Sequence, residues 1–403
     1  MDNCMCCSKY SYDLKTLVIF RNLLKDSVIE KLMLLLECVE NSSATEVQLE
    51  KYADFVAELY KHNTNLTEYV LNKIFEDENV YVLSKSNKAT ESNLLLEDCV
   101  GHELDILNSI ATIKSQDIKN SIDYSKFLPN WDISSHNFKE EYLLRVKNIS
   151  AFGYGIFAKY NMFIVENGEI VPIKYPDTTT LDQLIGYQRE RKIVIDNTKA
   201  LIDGKPASNI LLYGDAGTGK SSTVKAVVNK FADKGLRIIQ MQKKNIHDIP
   251  KIMDNLNKNP LKFIIFIDDL SFSSDDSDFS TLKAILEGNV SSRANNVVIY
   301  ATSNRRHLVK ESFSDREGDD IHFNDTVQEL TSLSERFGIS IKFMQPSKKD
   351  YLNIVHELAK ANNIQMDINE LDILAERFVI SRNGRSPRSA KQFIMTLMCK
   401  PED

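Results

Sequence analysis

Residues 214–221 read Gly-Asp-Ala-Gly-Thr-Gly-Lys-Ser, and no other stretch constrains the fold of the chain as tightly. The pattern of Gly, four residues, Gly, Lys and Ser or Thr is that of a loop that wraps phosphates. Chemistry explains the spacing. Gly214, Gly217 and Gly219 admit backbone conformations that a side chain forbids, so successive N–H groups can turn inward onto an anion. Lys220 adds a point charge, and Ser221 a hydroxyl suited to Mg²⁺. The helix that starts there directs its positive end at the same anion. Such a loop needs a strand before it and a helix after it. The apolar run Asn209-Ile210-Leu211-Leu212-Tyr213 supplies the first, and residues 222–231, with helical spacing and no Gly or Pro, supply the second. A chance match to the pattern arises roughly once per hundred chains of this size, and these flanks make it rarer. Asp215, Ala216, Thr218 and Ser222 complete the expected nucleotide contacts.

After the loop, apolar runs and helical periods alternate. Strands are expected over 236–241, 263–267, 297–302 and 339–343, helices over 248–256 and 281–287, and an earlier helix over 188–201. With the strand before the loop, this indicates a parallel five-stranded sheet covered on both faces. One of its strands ends oddly. Lys262-Phe263-Ile264-Ile265-Phe266-Ile267 runs directly into Asp268-Asp269. In a doubly wound sheet the carboxyl ends of the strands are where ligands bind. There Asp268 suits Mg²⁺, and Asp269 suits orienting or activating an attacking water. Beyond Pro346, helical segments near 349–361, 368–380 and 387–398 are expected to form a separate small unit.

The front of the chain differs. Residues 1–148 contain a single Gly, Gly101, and a single Pro, Pro129, as a mostly helical region would. Leu14, Leu17, Leu24, Val28, Leu32, Leu35 and Val39 recur at helical steps, and further helices are expected over 46–60, 67–75 and 94–118, with a polar loop over 84–92. From Phe152 the character changes to short strands, over 152–158, 162–165 and 170–173, with Asn167-Gly168 as a hairpin turn. The expected domains are therefore 1–148, a small β element over 149–178, the α/β nucleotide domain over 179–345, and a helical lid over 346–403.

The 403 residues carry a net charge of −7, which does not suggest a dedicated nucleic-acid binder. No apolar run approaches the roughly 18 residues of a membrane span, and no signal-peptide pattern opens the chain, so a cytoplasmic location without membrane contact is expected. Cys4-Met5-Cys6-Cys7 lacks the paired spacing of a structural zinc site and is read as reduced thiols. His62, His102 and His136 are read as surface or packing residues rather than ligands.

With both acidic and phosphate-loop stretches placed, residues 180–392 resemble the AAA+ ATPase superfamily. The resemblance implies ATP as the nucleotide, with Mg²⁺, and ring-like or hexamer-type self-association. It also implies further roles. Asn304, closing Tyr300-Ala301-Thr302-Ser303-Asn304, matches the first sensor. Arg336, in Ser332-Leu333-Ser334-Glu335-Arg336-Phe337-Gly338, matches the arginine finger that completes a neighbouring subunit's site. Arg388, in Gly384-Arg385-Ser386-Pro387-Arg388, matches the second sensor, and Ile185, Gly186 and Tyr187 fall where the adenine pocket is lined. More narrowly, the wording of residues 213–226 and of the stretches Phe-Ile-Asp-Asp-Leu-Ser-Phe and Ser-Leu-Ser-Glu-Arg-Phe-Gly is similar to a bacterial family of predicted AAA+ ATPases named only as a domain of unknown function.

One departure stands out. The superfamily usually has Glu after the metal-binding Asp, whereas this chain has Asp269, one methylene shorter. A base has to come within hydrogen-bond reach of its water. Two readings follow: an Mg²⁺-dependent ATPase that does conformational work on a protein client, or a slow, ATP-gated binding module that loads nucleic-acid machinery. A structural scaffold is the third and weakest. Arg305-Arg306-His307 alone does not decide for nucleic acid and is read as intersubunit or structural.

Overall fold

A computed structural model describes residues 5–86, 93–272, 277–287, 295–304, 335–380 and 384–399. It divides into two compact units, Met1–Lys159 and Tyr160–Asp403. Arg305-Arg306-His307, Ser332-Leu333-Ser334 and Cys4 lie outside the described residues.

The first unit is helical, with helices Met5–Lys15, Ser27–Glu40, Thr45–Tyr60, Leu66–Glu76, Val80–Ser86, Leu94–Ala111, Ser115–Asn120 and Phe138–Lys147. Their apolar stripes meet in one core that includes Leu32, Phe55, Leu104, Trp131 and Phe138. The heptad-like run from Leu14 to Val39 is not one helix. A 3₁₀ turn, Arg21–Lys25, interrupts it, and Asp26 restarts the helix by accepting from the N–H groups of Val28 and Ile29. Glu103, buried in the core, pins the same break by accepting from the N–H groups of Val18, Ile19 and Phe20. The period over 94–118 is likewise broken after Ala111. Two further departures concern the end of this unit. The polar stretch from Ser84 begins inside the helix Val80–Ser86. Phe152–Ala158, expected as a strand, is two helical turns, Ile149–Phe152 and Ile156–Lys159, separated by Gly153 and Gly155 at positive φ.

The second unit is built on a sheet of seven strands among the described residues: β1 Met162–Glu166, β2 Glu169–Pro172, β3 Ile210–Gly214, β4 Leu236–Met241, β5 Lys262–Ile267, β6 Val297–Ser303 and β7 Ile339–Phe343. The order is β2-β1-β4-β5-β6-β3-β7, parallel throughout except for the β1–β2 hairpin. Five parallel strands were expected. The hairpin adds two because β1 pairs with the edge of β4, Met162 opposite Ile238, and so supplies partners to backbone groups that would otherwise face outward. Asn167 and Gly168 both take positive φ, 53° and 77°, the conformation that a two-residue hairpin turn requires. Strands β5 and β6 are apolar and buried nearly end to end, as strands covered on both faces must be. Helices Gln188–Ile202, Lys220–Phe231, Ile249–Asn257 and Ser277–Glu287 accompany the sheet.

After β7, helices Lys348–Ala361, Ile368–Ile380 and Pro387–Met398 enclose a core of their own around Tyr351, Ile354, Leu371 and Phe393. Ser386 caps the last of them by accepting from the Ser389 N–H, with Pro387 at its first position. The arrangement is a phosphate-loop α/β fold followed by a helical segment, as the motifs led us to expect.

Candidate functional site

Strand β3 delivers the chain to Gly214, whose φ of 128° belongs to glycine alone. A Cβ there would collide with the carbonyl of Phe343 on β7, so β3 and β7 close on each other as the loop begins. The Asp215 N–H donates to that same carbonyl at 3.0 Å, and the Asp215 carboxylate accepts from the Gln345 N–H at 2.6 Å. Thr218, buried, donates to the Asp215 carbonyl at 2.8 Å, which tightens the turn around exposed Ala216. Gly219 caps the next helix at φ 92°, with open space among the described residues where its Cβ would point. That gap at a helix amino end is where a phosphate fits. Ser222, half-buried, lies in the first turn of the same helix.

Lys220 is 7% exposed and folds back over the loop. Its ammonium donates to the Gly214 carbonyl at 2.7 Å, the Asp215 carbonyl at 2.8 Å and Asn304 Oδ1 at 3.2 Å. Burial lowers its pKa, and the carboxylates of Asp215, Asp269 and Asp268 oppose that shift while Arg388 adds to it. Among the described residues, three acidic groups face two basic ones here. A polyphosphate therefore needs a cation beside it.

The residues for such a cation are present. The Ser221 hydroxyl donates to Asp268 Oδ1 at 2.6 Å, which places two hard oxygen ligands side by side. That donor set fits Mg²⁺, which takes few protein ligands and completes its shell with water and phosphate. Among the described residues, no group of three or more His, Cys, Asp and Glu side chains is gathered to hold a metal, here or elsewhere.

Next to Asp268, Asp269 leaves the strand in a left-handed conformation, φ 53°. Its Oδ1 accepts from the Asn304 amide at 2.9 Å. Asn304 thereby links Lys220 to Asp269. Thr302, which the sequence reading passed over, lies between the two aspartates: its hydroxyl donates to Asp268 Oδ1 at 2.6 Å and accepts from the Asp269 N–H at 2.9 Å. The available signal was the hydroxyl pair Thr302-Ser303 closing β6, which does not by itself single out Thr302.

The helical segment reaches the loop at Gly217. The Arg388 N–H donates to the Gly217 carbonyl at 3.2 Å, and a Cβ on Gly217 would come within 3.2 Å of the Arg388 Cβ. Arg388, exposed, is thus brought to the phosphate loop. Ile185 packs against the core of the helical segment, and Gly186 faces Ile354 within it. Tyr187 stacks on Phe343 with ring centroids 5.2 Å apart and donates to the Met344 carbonyl at 2.5 Å. Phe343 and Met344 were not anticipated, since nothing in their sequence context marks them as neighbours of Tyr187.

Arg336 is elsewhere. It precedes β7, at the amino end of the strand, whereas the loop lies at the carboxyl ends; the five residues of β7 span about 17 Å. Its guanidinium pairs with Glu287 at 2.5 Å, and its Nε is buried with no hydrogen-bond partner among the described residues. The structure therefore does not bring Arg336 to the phosphate loop of its own chain.

No helix among the described residues is long and apolar enough to cross a membrane. Comparison with curated protein sequences finds no match. Among solved structures, the RuvB Holliday junction branch migration motor of Thermotoga maritima is similar, at 16% identity and a TM-score of 0.37 over 54% of this chain and 64% of that one, less than two thirds of its length. AMPPCP-bound DnaA from Aquifex aeolicus is similar at 19% identity and a TM-score of 0.40, over 57% of this chain and 68% of that one. The protein family described as a protein of unknown function, DUF815, matches residues 157–400, which is more than half of the chain, and the chain belongs to that family.

Proposed function

We propose that the chain is a cytoplasmic AAA+ protein that binds ATP with Mg²⁺ and hydrolyses it, working in a ring or row of subunits on a protein client. One observation carries the reading. A single chain of hydrogen bonds joins Lys220 to Asn304 and Asn304 to Asp269, beside the Ser221–Asp268 pair, at the mouth of a phosphate loop. Bound Mg²⁺, held by Ser221 and Asp268, supplies charge neutralisation on the phosphates. The Gly219–Lys220 amides and the Lys220 ammonium hold the phosphate chain, with Lys220 exchanging a loop carbonyl for phosphate oxygen. Arg388 adds a second cation from the helical segment. Asn304 holds Asp269 Oδ1, and Asp269 Oδ2 takes the proton of the attacking water. Ile185, Gly186, Tyr187 and Phe343 provide the surface for the base. Arg336, remote from its own loop, acts on the site of the next subunit.

A second reading keeps ATP binding and makes turnover slow, with the chain as an ATP-gated module that loads nucleic-acid machinery. The specific support is Asp269, whose short side chain is already tied to Asn304. Hydrolysis of ATP with Mg²⁺, measured over a range of protein concentrations, separates the two. Specific activity that rises with concentration supports the shared-site ATPase. Tight binding with no turnover at any concentration rejects it in favour of the switch.

A further inference from the structure

Among the described residues, three of the five buried threonines, Thr198, Thr218 and Thr223, place their hydroxyls on a carbonyl three or four residues back. Thr198 donates to Val194 and Thr223 to Gly219, each four residues back along its helix. Thr302 does not. It is 2% exposed near the end of β6, beyond the last register pair with β5, Ile267 opposite Ala301. Where the ladder would continue, Thr302 engages three consecutive residues instead. Its carbonyl accepts from the Leu270 N–H at 2.7 Å. Its hydroxyl accepts from the Asp269 N–H and donates to Asp268 Oδ1.

The direction of these bonds is fixed by proton count. An N–H can only donate, so the single proton of Thr302 goes to the carboxylate. Asp268 Oδ1 thus receives two hydroxyl protons, one from Thr302 and one from Ser221, at 2.6 Å each. Both are short hydrogen bonds for an O–H donor. With its proton committed to Asp268, Ser221 presents only lone pairs to a cation. The same threonine holds the backbone turn at which Asp269 takes its left-handed conformation.

We infer that Thr302 is the positioning residue for the acidic pair: it orients Asp268 toward Mg²⁺ and sets the backbone from which Asp269 reaches Asn304, an assignment that rests on the nucleotide reading above. Outer partners of metal ligands typically change metal affinity by about 10- to 100-fold when removed. Thr302 acts through Asp268 and Asp269.

The test uses the full chain and a fluorescent ATP analogue, titrated once in EDTA and once in excess Mg²⁺. The quantity read is the gain in affinity that Mg²⁺ produces. Thr302→Val, of equal shape but without a donor, is expected to shrink that gain by about 10-fold or more, leave affinity in EDTA unchanged, and be rescued by Thr302→Ser. A purely structural role would weaken binding equally in both conditions. Thr302→Cys, whose thiol is a weak donor, is expected to fall between Ser and Val, and carries the test if Thr302→Val does not fold. A folded Val or Cys variant with the wild-type Mg²⁺ gain overturns the inference, as does a wild type whose affinity Mg²⁺ does not change. A wild type that binds no analogue in either condition overturns the nucleotide reading itself, a failure visible before any substitution is made.

Discussion

Asp26 and Asn304 illustrate how single side chains in this protein do several tasks at once. Asp26 caps a helix, accepts from the Tyr69 hydroxyl at 2.9 Å and pairs with Lys73 at 2.9 Å. Burial pushes its carboxyl up, but the bonds from Lys73 and Tyr69 outweigh burial and hold it below the ordinary carboxylate value. Because the folded pKa is the lower one, the unfolded chain takes up a proton first as pH falls. The stabilisation from Asp26 is therefore full above the ordinary value of 3.8 and is lost as pH drops through the lowered one. Asp26→Ala is expected to destabilise the helical unit by about 1–2 kcal/mol at pH 7, measured by urea unfolding. The difference from wild type should shrink below pH 3.8, and a difference that persists unchanged at low pH would contradict this assignment. Asn304 bridges Lys220 and Asp269. Asn304→Ala is expected to leave ATP affinity within a few-fold and to reduce hydrolysis by about 10- to 100-fold, as the loss of a residue that orients the base should; a fall in affinity with no fall in turnover would remove it from that role.

At the scale of elements, the close approach of β3 and β7 is what shapes the phosphate loop. Gly214→Ala introduces a Cβ into the Phe343 carbonyl at a φ of 128°. Strain and overpacking together are expected to cost about 2–4 kcal/mol. Thermal unfolding of the variant reports it, and an unchanged midpoint would mean that the two strands are not in contact there. The elements of the second unit were largely legible because each announces itself locally: apolar runs for β3 to β6, alternation for β7, a glycine pattern for the loop. What was not legible depends on contacts remote in sequence. The β1–β2 hairpin carries its turn signal in Asn167-Gly168, but nothing in it says that it joins β4. The break at Asp26 hid inside a continuous helical period, and Glu103, which pins it, lies more than seventy residues away. Residues 152–158 read as a strand in sequence, while the two positive-φ glycines made them turn. In the site, Lys220, Ser221 and the acidic pair were readable from pattern, but Thr302 acts by a position that strand register assigns, and Gln345 by a backbone N–H just beyond the end of β7.

For the whole molecule, the placement of Arg336 is the most consequential observation. It lies at the opposite end of β7 from the loop, paired with Glu287. If it completes a neighbour's site, Arg336→Ala should keep ATP affinity nearly intact while hydrolysis falls by about two orders of magnitude or more, and the rise of specific activity with protein concentration should vanish. Unchanged hydrolysis would leave Arg336 as a structural partner of Glu287. All of these expectations presuppose that the loop holds a nucleotide. The most direct measurement is calorimetric titration of the full chain with ATP and Mg²⁺, beside Lys220→Ala. Saturable binding of one nucleotide per chain that disappears in Lys220→Ala is the expected result. Binding of equal strength in both, or in neither, would contradict the assignment of residues 214–221 as the nucleotide site.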